Sequence, residues 1–311
     1  MWSEFRGKTI GVDILGLLYN AKARKQCPFQ YIANLIARSK QHGIHIMPIF
    51  DGRPPSEKSD TIKQRSQIRE ESVAKLAILE NDLEHTEMSE SQRKLLIQNI
   101  KALEKKGSYL TSDEREIAKQ IFYACGVLPL NATGEADNVL AYFAKRGEFD
   151  AIISNDFDLL ARGVETLLVP EFYALPGDSS GWAQYNLSSI LQSVRLQYGQ
   201  FLEMCVLMGS DYTTNTRMLP YKSAFWNIRF SDSFEKVLQK LNVEDTNVYY
   251  RAMEMLRGET ETRDKLMGEK QWEKLAKPRP AIEPEALTEL RDSLFKNIGD
   301  ADFTVLSTVS I

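Results

Sequence analysis

Ala151-Ile-Ile-Ser-Asn-Asp-Phe-Asp158 decides the fold. Its apolar run is too short for a helix, and it breaks off directly into polar residues and two aspartates. Three further runs have the same build: Thr9-Ile-Gly-Val-Asp13, Ile44-His-Ile-Met-Pro-Ile-Phe-Asp51 and Thr166-Leu-Leu-Val169. Each is short, rich in β-branched residues and separated from the next by sequence of helical character. Such runs fit strands buried on both faces of a mainly parallel sheet. The expected class is α/β, with a mainly parallel central sheet flanked by helices.

A long helical tract lies between the second and third of these strands. Ser59 or Asp60 can cap a first helix that runs to about Glu84. Ser89 with Gln92 forms a capping box for a second, stopping at Gly107, and Thr111 with Glu114 forms one for a third, stopping at Gly126. Charged helix of this length has no core of its own to fill, so it is expected to project as a lid or arch. Beyond Trp182 the pattern reads as helical again, over Ser188 to Gln197, Gly199 to Met208 and Glu244 to Arg257, and a Pro-rich then helical segment follows from Pro278. The expected organisation is one domain over 1–311: an α/β core of 7–57 and 127–212, a helical insertion of 58–126, and a helical region of 213–311.

Composition narrows the setting. The chain has 311 residues, 43% of them hydrophobic, enough for a substantial core. Its three cysteines, Cys27, Cys125 and Cys205, are scattered and show no CxxC spacing, so neither a disulfide framework nor a zinc site is expected. No apolar run approaches the roughly 20 residues of a membrane span, and Met1 to Asp13 lacks a signal-peptide core. The expectation is an intracellular protein, nuclear or cytoplasmic, without a membrane partner. A formal net charge of −4 argues at first against a nucleic-acid partner.

That objection weakens at the acids. Asp13, Asp51, Asp156 and Asp158 all follow the carboxyl ends of strands, where open parallel sheets bind ligands. Glu135 and Asp137 open the helix after Val127 to Asn131, and Asp211 follows the apolar helix that ends at Met208. Any one of these acids alone is better explained as a helix cap or turn former. Seven together would repel one another and raise their own pKa values unless cations neutralised them. Oxygen ligands of this kind select Mg2+ or Mn2+, and the scarcity of His (His42, His45 and His85) speaks against zinc. Two such ions held about 4 Å apart suit hydrolysis of a phosphodiester. With these seven acids set aside, the remaining formal charge is +3.

At these residues the chain resembles the flap endonuclease/XPG-type 5′-nuclease family, which has a PIN-like fold, from about Gly7 to Ala224. Gly-Lys-Thr-Ile-Gly-Val-Asp13, Phe50-Asp-Gly-Arg-Pro-Pro55, Gly134-Glu-Ala-Asp137, Ser154-Asn-Asp-Phe-Asp158 and Met208-Gly-Ser-Asp211-Tyr are similar to its blocks in order and spacing. The resemblance implies that Asp51 and Asp137 hold one Mg2+, with Asp13 and Glu135 acting partly through water, and that Asp156, Asp158 and Asp211 hold a second. Mn2+ would substitute. It further implies that Lys58 and Arg65 neutralise the scissile phosphate, with Arg69 continuing nearly the same stripe, and that Tyr19 stacks on a nucleotide. The helical region 213–311 then begins with a helix-hairpin, where Arg217 and Lys222 remain as nucleic-acid contacts.

The chain also departs from the family pattern. The family's N-terminal glycine has no counterpart here, and no sliding-clamp-binding motif appears before Ile311. The glycines of the hairpin are replaced by Arg217-Met-Leu-Pro-Tyr-Lys-Ser223. A reduced or divergent relative is expected, a monomer acting on branched or 5′-ended DNA as flap endonuclease or 5′-exonuclease in DNA repair or replication. RNA is the alternative substrate. A catalytically inactive binding scaffold is the alternative from another class, disfavoured because a dead site has no physical reason to retain seven repelling acids.

Overall fold

The first strand is held in place by the absence of a side chain. In β1 (Thr9–Asp13) a Cβ on Gly11 would come within 2.8 Å of Phe149, Leu140 and Ile152 side-chain carbons, so only glycine lets these groups close over the strand. The chain continues through α1 (Ile14–Ala23), α2 (Pro28–Gln41) and β2 (His45–Phe50), then α3 (Ser59–His85), α4 (Glu90–Gly107) and α5 (Ser112–Ala124). After β3 (Leu130–Asn131) come α6 (Ala136–Lys145), β4 (Ala151–Ile153), α7 (Asp158–Ala161), β5 (Thr166–Pro170) and β6 (Trp182–Asn186). Helices α8 (Leu187–Val194), α9 (Tyr198–Met208), α10 (Tyr221–Arg229), α11 (Phe234–Lys240), α12 (Asn247–Arg257) and α13 (Arg263–Met267) complete it. This computed structural model describes residues 2–24, 26–55, 58–86, 88–107, 109–170, 182–213, 218–259 and 261–268.

The six strands form one sheet in the order β3-β2-β1-β4-β5-β6. All neighbours are parallel except β5 and β6, where Thr166 pairs with Asn186 and Pro170 with Trp182. The mainly parallel α/β expectation is met, and so are all four expected strands. The strand β6 corrects the sequence reading, which placed helix beyond Trp182. Its five residues alternate only loosely between buried and half-exposed, as an edge strand with one partner does, and carry neither the apolar run nor the strict alternation that identifies strands. The segment from Pro278 lies outside the described residues.

The chain divides into two compact units. One contains Arg38–Lys58 with the described parts of Met1–Ile14 and Gly126–Ile282; the other contains Leu15–Ala37 and Ser59–Cys125. The first holds the sheet and two apolar clusters. Ile49, Val139, Leu140, Phe143, Phe149, Ile152, Leu159 and Leu167 pack around the strands, and Leu202, Leu207, Ile228, Leu238, Tyr249 and Leu256 pack among α9 to α12. Each such fully buried side chain contributes roughly 1.5–3 kcal/mol of transfer free energy.

In the second unit the two capping-box predictions hold, whereas Ser59 is the first residue of α3 and not its cap. Thr111 and Glu114 form a reciprocal capping box at α5, and Ser89 with Gln92 closes the start of α4. Glu114 also accepts from Lys22 at 2.6 and 2.7 Å. Its burial alone would raise its carboxyl, but Lys22 and Thr111 outweigh that and hold it low. Gly126 takes the left-handed φ of +69°, whereas Gly107 stays within the last turn of α4. Helix α3 buries almost nothing: Ile62, Ile68, Val73 and Ile78 along it are exposed.

Candidate active site

Parallel pairing aligns the strand ends. Val12 pairs with Ile153 on one side and Pro48 on the other, so Asp13, Asp51 and the segment Ser154–Asp158 leave the sheet at one edge. The chain runs outward in opposite directions from β1 and β4, which makes this edge the switch point of the sheet. Asp13 is 8% exposed and accepts from Ser154 Oγ at 2.8 Å. The same Oγ accepts from the Asp156 amide at 3.0 Å, and the Asp158 amide donates to Asp156 Oδ1 at 2.8 Å. Asp51 Oδ1 accepts from the Ala136 amide at 2.7 Å, so it does serve as an anion at the start of α6, although it comes from another segment. Beside it Gly52 is required, because a Cβ there would meet the Ala132 carbonyl at 2.1 Å.

Glu135 stands in the N-cap position of α6 without capping it. Its carboxylate is 8% exposed and turns toward Lys58, whose Nζ lies 2.5 Å from Oε1 and 3.1 Å from Asp211 Oδ2. On its other oxygen it accepts from the Tyr212 hydroxyl and stands 3.5 Å from Arg162 Nη2. Arg162, 2% exposed, donates to the Tyr212 oxygen at 2.7 Å, to Asn138 Oδ1 and to the Met255 carbonyl at 3.3 Å.

The charges report the crowding. Burial raises Asp137 well above the usual carboxylate range; Arg162 opposes this, and Asp156, Asp13 and Asp51 reinforce it. Burial, then Asp156 and Asp211, push Asp158 to about 6. Burial would lower Lys58, but Tyr212, Glu135 and Asp211 outweigh it and hold the ammonium charged. Arg162 is kept charged against its burial by Asp137, Tyr212 and Glu135. Each of the seven acids thus interacts with another acid of the set or with a cation that another contacts.

Most residues expected at the site meet here, all within the first unit: the seven carboxylates and Lys58. Lys58 precedes the first residue of α3, so it does not continue the helical stripe of Arg65 and Arg69. Those two and Tyr19 belong to the second unit, where the Arg69 guanidinium lies 5.4 Å over the Tyr109 ring and Tyr19 accepts from Arg115 at 3.5 Å. Lys222 is exposed on α10, 5.8 Å over Tyr221, and Arg217 lies outside the described residues. Sequence reasoning missed Arg162, Tyr212 and Ser154. A charged residue inside the apolar run Leu159-Leu-Ala-Arg-Gly-Val164 was the available signal for the first.

Does this donor set fit divalent ions? Its donors are all oxygens, and among the described residues Lys58 and Arg162 contact these carboxylates, while burial and neighbouring acids leave Asp137 and Asp158 raised toward protonation. Both features favour a hard cation. Cys205 offers no thiolate, since burial and then Asp158 push it up to about 12. Among the described residues no three His, Cys, Asp or Glu side chains are already closed on one point, so the acids would have to draw together around an ion. The residues fit by chemistry and charge.

Residues 126–211 match the family model described as the XPG I-region. Flap endonuclease 1 of Brugia malayi is 28% identical over 205 residues, covering 66% of this chain and 51% of that protein. The chain spans about half the length of the curated relatives it matches. Among solved structures, flap endonuclease-1 from Methanococcus jannaschii superposes with a TM-score of 0.58 at 19% identity, covering 97% of this chain and 96% of that one. The catalytic core of Rad2 in complex with DNA substrate gives 0.62 at 17%, covering 100% and 94%.

Proposed function

We propose, from the premise that this chain has the fold of the XPG-type, PIN-like nucleases and carries their I-region, that it is a divalent-metal-dependent, structure-specific 5′-nuclease hydrolysing phosphodiester bonds in DNA. The observation that carries this reading is the gathering of seven carboxylates from separate segments at the switch point of the sheet, two of them driven toward protonation by burial and then by neighbouring acids. The resemblance supports Asp51 and Asp137, with Asp13 and Glu135, as holders of one Mg2+, and Asp156, Asp158 and Asp211 as holders of the other. Bound there, such ions supply an activated water and neutralise charge on the phosphate.

The remaining parts belong to the chain. Arg162 and Tyr212 fix the direction of the Glu135 carboxylate from behind. Lys58 stays charged and lies against Glu135 and Asp211, so it can exchange those partners for a phosphate oxygen, where a fixed cation acts mainly on charge that develops in the transition state. Ser154 keeps Asp13 and the Asp156 backbone in register.

The test is incubation with Mg2+ or Mn2+ and end-labelled single-stranded, duplex, flap and RNA substrates, with EDTA as control. Metal-dependent cuts near 5′ ends or junctions of DNA, abolished when a bulky group blocks the 5′ end, are expected. Cuts confined to RNA would move the assignment to an RNA nuclease, and no cutting of any substrate would remove it.

A further inference from the structure

We propose that the outer face of α10 is a stacking platform for unpaired bases of a nucleic-acid strand, an inference that rests on the nuclease reading for its biological setting but not for its test. Trp226 and Phe230 are 54% and 77% exposed, and their rings lie parallel, 6° apart in plane with centroids 5.3 Å apart. Phe225, half-buried at the edge of the second apolar cluster, props Trp226 from the side at 4.9 Å and 66°. The helix that presents them is anchored, because Ala224 and Ile228 on its opposite face are buried in that cluster. Two large rings left in water on a fixed helix form the kind of exposed patch that normally has a partner.

The surroundings select the partner. Lys222, Trp226 and Phe230 succeed one another at four-residue spacing, and Arg229 adjoins them, so cations and rings share one face. Arg229 is held by a bond to the Arg195 carbonyl at 2.9 Å. No acid occurs from Met218 to Phe230, and the next, Asp232, is paired with Lys236 at 2.5 Å. Parallel π-faces flanked by positive charge, with Arg229 held in place, complement the base and phosphate of a single strand, whereas duplex keeps its base faces covered. Pro220, at the N-cap of α10, has no amide to offer a phosphate, so recognition here falls to side chains.

The probe is a short oligothymidylate of about ten nucleotides, compared with an abasic strand of equal length, in EDTA and low salt. Fluorescence anisotropy gives affinity, and tryptophan quenching reports stacking. Trp226→Ala with Phe230→Ala should weaken oligothymidylate binding by about tenfold or more, with circular dichroism unchanged because both rings are exposed. Trp226→Phe should keep most of the affinity and lose most of the quench. Equal affinity of the double variant and the wild type, or of abasic and base-bearing strands, overturns the proposal. So does a wild type that sediments as a dimer and a double variant that sediments as a monomer with strand binding unchanged, for then a second copy covers the face. Ring-dependent binding without cleavage of any substrate upholds the platform and removes the nuclease reading; cleavage with ring-independent binding does the reverse.

Discussion

Replacing Arg162 by Met keeps much of the stem and removes the guanidinium from beneath the carboxylates. Four acceptors lose a donor: Glu135, the Tyr212 oxygen, Asn138 and the Met255 carbonyl. Breaking a buried ion pair by deleting one partner costs about 3–5 kcal/mol, because the other charge stays buried. Glu135 retains Lys58 at 2.5 Å, which places the loss near the lower bound, about 3 kcal/mol. In a chain of this size one kcal/mol corresponds to about 2 °C, so Tm should fall by about 6 °C at pH 7.5 in EDTA. Arg162 is also the cation that opposes the burial-driven rise of Asp137, so the deficit should shrink as pH falls and that carboxyl protonates. Arg162→Lys should fall between, since an ammonium cannot serve several acceptors as a planar fork does. Differential scanning calorimetry of the three proteins at pH 7.5 and at lower pH checks this. A Met variant melting within about one degree of wild type at pH 7.5 would falsify the claim that this guanidinium is a buried counter-charge of the cluster beside Lys58.

Asp156 is exposed, so Asp156→Asn should leave Tm nearly unchanged and lower turnover by several orders of magnitude; full activity in the purified variant would sink the proposed site. Asp158 rises from its ordinary 3.8 to about 6, so the folded state binds the extra proton and stability declines as pH climbs between those values, by roughly 3 kcal/mol once pH exceeds 6. A cation that neutralises Asp158 relieves this, so Mg2+ should raise Tm more at pH 7.5 than at pH 5, and equal shifts would refute the assignment. Glu114→Gln should cost about 1 kcal/mol by weakening the capping box and the Lys22 pair. Because Glu114 is held low, its contribution is present above the ordinary carboxylate pKa and lost in acid, so urea titrations of wild type and variant should converge near pH 3. With Pro220 in place of a flexible turn, duplex binding without catalytic metal should be weak, shallow in its salt dependence and equal in K+ and Na+. A steep slope or a K+ requirement would contradict it.

What sequence could disclose followed from local physics. Strands buried on both faces need unbroken β-branched runs, and helix starts need oxygen caps three residues from a partner, so β1, β2, β4, β5 and the starts of α4 and α5 were visible in the sequence. The acids were visible because a parallel sheet turns successive strand ends into one edge. Arg162 was hidden because its partners come from α6, α12 and the turn after α9, and an arginine four residues after Asp158 reads as an ordinary surface pair. The edge strand β6 was hidden because one-sided pairing leaves a weak signature. Lys58 was read onto one helical stripe with Arg65 and Arg69, although a cap at Ser59 or Asp60 already leaves it outside α3.

The order of the sheet also bears on how the protein is made. β1 lies at the centre although it is synthesised first, and its partner across the β4 edge lies 141 positions further along, as in the bond from Thr9 to Asp150. At a synthesis rate of about 5–20 residues per second, the β4-facing edge of β1 waits about 7–30 s for that partner on the ribosome. During that interval α3 to α5 can complete themselves, since their partners, including Lys22 for Glu114, are already synthesised. A nascent chain stalled anywhere between Phe50 and Ala151 carries an open strand edge bordered by Ile10 and Val12, which makes it a substrate for chaperones and a seed for aggregation.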